Sequence, residues 1–259
     1  FTPTTIRIKF KKKNGDSVEA KRGGINFLHS SGMGKHISLL LIMLFSISFT
    51  LTAQTNTWDG SSSANWNTAT NWSLNQVPTA AHDVVIPNGI TANITVNTAA
   101  VCKTLTMNGG TTANTLTINN PNSLSVTGAI AIGAGTGAGD NKIIAVGTGT
   151  LSCASVNITA TGSGTRTSEI SIATGTVNVT GNISMNDAND YIRFTGAGLL
   201  NVGGNITGGN LIPSTGTVNC NGSTAQTITG ATTSSFYNLI INKSAAANTV
   251  TSTGNAMTV

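Results

Sequence analysis

The chain has 259 residues, of which 8% are charged and 5% aromatic, with 30 glycines and a hydrophobic fraction of 39%. So little charge beside so much Gly, Thr and Asn excludes a helical bundle, whose surface needs Glu, Lys and Arg, and the low charge also argues against a disordered chain. The formal net charge of +5 suggests a nucleic-acid binder, but eight of the basic residues (Arg7, Lys9, Lys11, Lys12, Lys13, Lys21, Arg22, Lys35) precede residue 54, and the remainder carries five basic and six acidic residues, a net of −1.

Met33-Gly34-Lys35-His36 opens a short basic stretch, Ile37 to Leu51 is an unbroken run of apolar and small residues, and Thr52-Ala53-Gln54 supplies a small residue for cleavage. Basic entry, apolar centre and small-residue exit read as a secretory signal peptide over residues 33–53. A membrane anchor is the alternative, but the run falls short of the ~20 residues that span hydrocarbon. It also holds Ser46, Ser48 and Thr50, and no basic stop-transfer patch succeeds it. Ala53 is not followed by Cys, which argues against a lipoprotein. Because a signal peptide starts a protein, translation is expected to begin at Met33, with residues 1–32 an upstream frame lacking structure. The protein is therefore expected to be secreted or held at the cell surface, with no membrane span after signal removal and no nucleic-acid partner.

Residues 54–87 differ in composition from the remainder of the chain. They hold all three tryptophans, Trp58, Trp66 and Trp72, together with Pro78 and Pro87. An open repeat array must have its end covered, and large aromatics do that, so this segment is expected to be an N-terminal cap. The other reading of the same rings is a binding platform, since exposed aromatics stack on sugar faces.

From Trp58 onward no stretch keeps a 3.6-residue apolar period, and residues 88–259 are read as the repeats. Short alternating pieces recur instead, such as Thr104-Leu105-Thr106-Met107 and Thr115-Leu116-Thr117-Ile118, each a strand punctuated by Gly, Asn and Thr. Apolar-polar-apolar triplets (Leu124/Val126, Leu151/Cys153, Val177/Val179, Leu200/Val202, Val218/Cys220) repeat at spacings of 27, 26, 23 and 18 residues. After the first three triplets come two further apolar sets, as in Val156/Ile158 then Ile170/Ile172. Three short strands per turn, with inward residues stacked turn on turn, predict an all-β fold: a right-handed parallel β-helix, or three-faced β-solenoid. The rival β-sandwich requires uniform spacing and two-residue turns, which the pattern lacks. Cys153 and Cys220 fill the slot held elsewhere by Val126, Val179 and Val202. They are expected to be reduced and buried, three steps of ~4.8 Å apart and so beyond the ~7 Å reach of a disulfide. Cys102 is left odd.

Groups able to do chemistry are few. His82 is the only histidine after residue 54 and has no second ligand at zinc spacing. Gly133-Ala134-Gly135-Thr136-Gly137-Ala138-Gly139 reads as a loose loop, and no serine sits in a nucleophile elbow. From Asn120 onward, Asp140, Lys142, Arg166, Glu169, Asp187, Asp190 and Arg193 fall in or beside the gap between the second and third strand of a turn. Those gaps stack at one corner, which makes Asp140, Arg166, Asp187, Asp190 and Arg193 the binding candidates, with Trp58, Trp66 and Trp72 from the cap. Asp187 and Asp190 are the carboxylates that could hold calcium, and with Arg193 they could meet an acidic sugar. The plainer alternative is that loops collect solvated charge. No cofactor other than calcium suggests itself, and no pair of catalytic carboxylates recurs, so no enzyme is expected. Thr-Gly-Thr at 148–150, 174–176 and 215–217 raises an ice-binding rank, but Ala197-Gly198-Leu199 breaks it and the Gly marks a corner.

Thr57-Trp58-Asp59-Gly60, Asn65-Trp66-Asn67-Thr68-Ala69-Thr70-Asn71-Trp72-Ser73, Val77-Pro78 and Asp83-Val84-Val85-Ile86-Pro87 resemble the opening module of secreted, adhesin-like β-helical repeat proteins of Gram-negative bacteria. Gln226-Thr227-Ile228-Thr229-Gly230 and Phe236-Tyr237-Asn238-Leu239-Ile240-Ile241 resemble a segment that recurs further along the same proteins. Members are often exported by type IX secretion through a C-terminal sorting domain. The resemblance implies an exported structural or adhesive rod whose partner is a cell-surface or matrix polysaccharide, and it carries no catalytic residues. The repeat pattern running into Val259 is read as truncation, the chain being an N-terminal piece.

Overall fold

The computed structural model describes residues 10–11, 17–18, 53–90, 92–159, 166–230, 234–245, 248–253 and 257–259. It divides into residues 1–51 and 52–259. In the first unit, expected to be without structure over 1–32, the described residues form one antiparallel pair, Phe10 opposite Val18 and Lys11 opposite Ser17. The expected signal peptide, Ala53 apart, lies outside the described residues.

The second unit is a β-solenoid of about eight turns. Short strands recur on three faces and pair in parallel with their counterparts in neighbouring turns, with Ser234–Ser235 and Met257–Thr258 forming a separate parallel pair. Face one is built from Ala100–Cys102, the first halves of Ser123–Gly133 and Thr150–Thr159, then Thr176–Val179, Leu199–Val202, Thr217–Cys220 and Asn238–Ile241. Face two runs from Gln54–Thr57 and His82–Ile86 through Thr104–Met107 and the second halves of the two long strands. It continues in Ile183–Met185, Ile206–Thr207, Gln226–Thr229 and Val250–Ser252. Face three is a six-stranded sheet of Ala92–Val96, Asn114–Ile118, Lys142–Val146, Ser168–Ile172, Asp190–Phe194 and Asn210–Ile212. Faces one and two belong to a single sheet because Ser123–Gly133 and Thr150–Thr159 run on around the corner between them, with one register shift between Cys153 and Ser155.

In-register parallel pairing sets each inward residue on the same kind of residue one turn away, so a two-residue alternation is enough to build a continuous core. Leu124, Leu151, Val177, Leu200 and Val218 form one buried column of face one. Ile130, Val156, Ile183, Ile206 and Ile228 form one on face two, and Ile94, Leu116, Ile144, Ile170, Ile192 and Leu211 one on face three. Each such side chain contributes about 1.5–3 kcal/mol by leaving water.

The second column of face one reads Cys102, Val126, Cys153, Val179, Val202, Cys220, all buried. The three cysteines are free. Cys153 and Cys220 thus sit where the triplet alignment puts them, and Cys102 opens the same column. A thiol there acts as a small hydrophobe near valine in size. Cys153→Val should therefore shift stability by less than about 1.5 kcal/mol, read as a urea midpoint; a larger loss would mean that the column discriminates sulfur from methyl.

The corner between face three and face one is built differently. Gly149, Gly175, Gly198 and Gly216 stack there, with none at positive φ. Close approach, not backbone conformation, demands glycine. A Cβ on Gly175 would stand 2.5 Å from the Gly149 carbonyl oxygen and 2.9 Å from Val146 Cγ1. Gly175→Ala should destabilise by about 1–3 kcal/mol through overpacking, measured by thermal unfolding; an unchanged midpoint would show that the corner can yield. The Thr-Gly-Thr segments lie along this corner, and the column Thr150, Thr176, Leu199, Thr217, Asn238 is interrupted twice.

Candidate functional site

The segment expected to be a separate cap is partly solenoid. Gln54–Thr57 and His82–Ile86 are rungs of face two, and the bridge from Asn65 to Thr95 lays the loop between them along the first strand of face three. Between the rungs, Trp58, Trp66 and Trp72 close the core. Trp72 meets Trp58 and Trp66 edge-on, with centroids 5.0 and 4.8 Å apart, and its indole N–H donates to the Trp66 carbonyl at 2.7 Å. Asn71 locks the loop, accepting the backbone N–H groups of Ser62 and Ser63 and donating to Ser63 Oγ and the Asn65 carbonyl. The three indoles are 0–1% exposed. A ring that must stack on a sugar has to present a face to solvent, so Trp58, Trp66 and Trp72 are corrected from binding candidates to core.

At the corner between faces two and three, the first strand position of successive turns forms a polar column: Asn114, Lys142, Ser168, Asp190. All four are buried and point inward. Their partners are backbone groups in the corner loops or at the strand ends beside them. Asn114 Nδ2 donates to the Pro87 carbonyl, Lys142 Nζ to that of Thr112, and Ser168 Oγ to that of Gly133. Asp190 Oδ2 accepts from Asn186 and Asp187 N–H at 2.7 and 3.0 Å. His82 and Gln226 do similar work at the start of face-two strands, His82 Nδ1 accepting from Thr79 N–H and Gln226 bonding the Val202 and Gly204 carbonyls.

The charge pattern predicts that Asp140, Arg166, Asp187 and Asp190 project together from this corner. They share the corner but do not act as a set. Asp190 is fully buried and Arg166 is 6% exposed, while Asp140 and Asp187 are half-buried in their loops. The inward turn of Asp190 is set by the alternation of Asp190, Ile192 and Phe194, all of which face the core. As for calcium, Asp187 Oδ1 accepts its own loop's Asn189 N–H, and among the described residues no three His, Cys, Asp or Glu side chains converge on a metal position.

Two outward features are not anticipated by the sequence pattern. On face three, Arg193 Nε donates to Glu169 Oε2 at 2.7 Å, and its guanidinium lies 4.7 Å from the centroid of the Tyr191 ring. Glu169 is itself buried, so the patch presents the half-buried Tyr191 and the candidate Arg193, held by the register of Glu169 with Tyr191 and of Ser171 with Arg193. On face one, Asn219 Nδ2 donates to Asn201 Oδ1 and Asn201 Nδ2 to Asn178 Oδ1, both at 2.8 Å, and Asn178 Nδ2 to Ser152 Oγ at 3.2 Å. The signal for this amide ladder is the middle residue of each triplet. Such fixed donors and acceptors can hydrogen-bond a flat polar partner.

Residues 57–139 match a family described as a domain of unknown function, DUF8693. No curated protein and no solved structure matches the chain. The matched segment spans the tryptophan loop and the first turns, and includes Asn114 at the start of the polar column.

Proposed function

We propose that this chain is an exported structural or adhesive β-solenoid of the cell surface or extracellular matrix that works without catalysis. The observation that carries the reading is the fate of its chemically capable side chains: Asp190 and His82 are taken up by the rod's own backbone. What the rod offers outward is repetition. A ladder such as Ser152, Asn178, Asn201, Asn219 presents the same kind of group every ~4.8 Å, which suits many weak contacts with a repetitive polymer such as a surface polysaccharide. The test is to fractionate cells making the full chain and to incubate the exported protein with immobilised surface polysaccharide. Recovery outside the cell, retention on the polymer and no release of reducing ends support the reading. Retention in the cytoplasm removes export, and turnover of the polymer removes the non-catalytic part.

A second reading, polysaccharide binding or cleavage along the charged edge, is favoured by the Glu169–Arg193–Tyr191 patch on face three. It is distinguished by Tyr191→Ala, which would abolish retention on the polymer, whereas attachment through the face-one ladder would be untouched.

A further inference from the structure

Asn114 and Lys142 are neighbours in the buried polar column, aligned across adjacent turns of face three, and they are 1% and 0% exposed. The lysine does not keep its amine at its own level. Its Nζ reaches down to the carbonyl of Thr112, two residues before Asn114 in the turn below. Asn114 sends its amide nitrogen further down, to the Pro87 carbonyl at 3.1 Å. That leaves Asn114 Oδ1 buried, and among the described residues no donor reaches it. An unsatisfied buried carbonyl is costly, and here it belongs to the turn into which the lysine amine descends to meet the Thr112 carbonyl.

Burial lowers the pKa of Lys142 from its ordinary 10.5, opposed by the charge of Asp140. Desolvation therefore favours the neutral amine, which has the lone pair a nucleophile needs.

From this juxtaposition we infer that Lys142 and Asn114 condense into an intrachain isopeptide bond. The Nζ lone pair adds to Asn114 Cγ, and the Cγ–Nδ2 bond breaks. The proton released by Nζ passes to Nδ2, and the nitrogen leaves as ammonia. One amide replaces another, so no oxidant, reductant or co-reactant enters. The product covalently ties two consecutive turns and converts a buried amine into a neutral amide; the Asn114 carbonyl is kept as the carbonyl of that amide. The inference is independent of what the rod attaches to.

The test is a peptide map of the full chain, purified folded and then denatured. Trypsin cuts after Lys103, Lys142 and Arg166. An acylated Lys142 is no substrate, so the expected product is a 104–166 peptide lighter by one ammonia. Asn114→Ala should restore the cut and give 104–142 and 143–166 at their unmodified masses. Succinimide formation at Asn108-Gly109 also loses ammonia, but it leaves cleavage after Lys142 intact and yields a light 104–142 peptide, which would count against the cross-link. Recovery of 104–142 from the wild type at its sequence mass would overturn the inference outright, whether or not the variant folds.

Discussion

Trp72→Ala should destabilise the solenoid by about 3–5 kcal/mol, near the top of the range for a single core truncation. Trp72 is fully buried and is the ring that joins the other two, edge-on to both Trp58 and Trp66. Its removal takes away a large apolar area in the loop and leaves a cavity that the flanking Trp58 and Trp66, tied to the backbone of the first rungs, cannot fill. It also strips the Trp66 carbonyl of its 2.7 Å donor, adding the penalty of an unpaired buried acceptor. The loss should propagate, because Trp58 N–H pairs with the Val85 carbonyl and Trp66 N–H with that of Thr95, so the loop holds the first strands of faces two and three. Urea unfolding gives the magnitude. Amide exchange should show Gln54–Thr57 and Ala92–Val96 losing protection before the middle turns. Trp72→Phe, which keeps a ring but not the N–H, should lie between the two. A Trp72→Ala protein with wild-type stability and weakened polymer retention would reinstate the tryptophans as a binding surface.

Alkaline conditions should unfold the wild type through its thiols. Burial pushes Cys102 and Cys153 up to about 12 from an ordinary 9.0, Asp83 adding to the rise at Cys102. Burial also raises Cys220, with Lys243 opposing. In the unfolded chain each thiol ionises near its ordinary value, whereas the folded state keeps it protonated to higher pH. The stabilisation is therefore whole below pH 9 and is lost as pH climbs toward 12, with a slope of about 1.4 kcal/mol per pH unit for each titrating thiol. A Cys102→Val/Cys153→Val/Cys220→Val protein should lack that slope and overtake the wild type above pH 9, under reducing conditions that exclude oxidation. Lys142, where it remains a free amine, works in the opposite direction, since a depressed lysine makes stability rise with pH toward 10.5. It is common to both proteins and cancels in the difference. Parallel stability curves between about pH 8 and 10.5 would mean that the thiols are not shielded.

The architecture is legible because a parallel, in-register stack forces repetition. Leu124/Val126 and Val177/Val179 align by inspection, and the cysteine slots come with them. Cys102 escapes because its triplet, Ala100-Val101-Cys102, is apolar throughout and shows no alternation. The polar column escapes for another reason. Asp190 and Lys142 read as loop residues by type, although carrying the alternation of Ile192/Phe194 and Ile144/Val146 back by two positions turns both inward. Residue chemistry and periodicity point in opposite directions here, and periodicity wins because the corner loops supply backbone groups that need polar partners inside. The boundary at residue 87 is misplaced for a similar reason: His82–Ile86 alternates like any later rung, but the tryptophans beside it dominate the local composition.

The corners of this rod are unequal, and that has an engineering consequence. Between faces three and one the links are short, as in 147–149 and 173–175, and their packed glycines leave no room for a side chain. Between faces two and three the links range from 134–141 down to 208–209, yet the strands on either side keep their register. Foreign peptides spliced into the second kind of corner should be tolerated as cargo, displayed in a row along one side of the molecule. The same peptides at the glycine corner should prevent stacking altogether. The rod thus has a grafting edge and a forbidden edge.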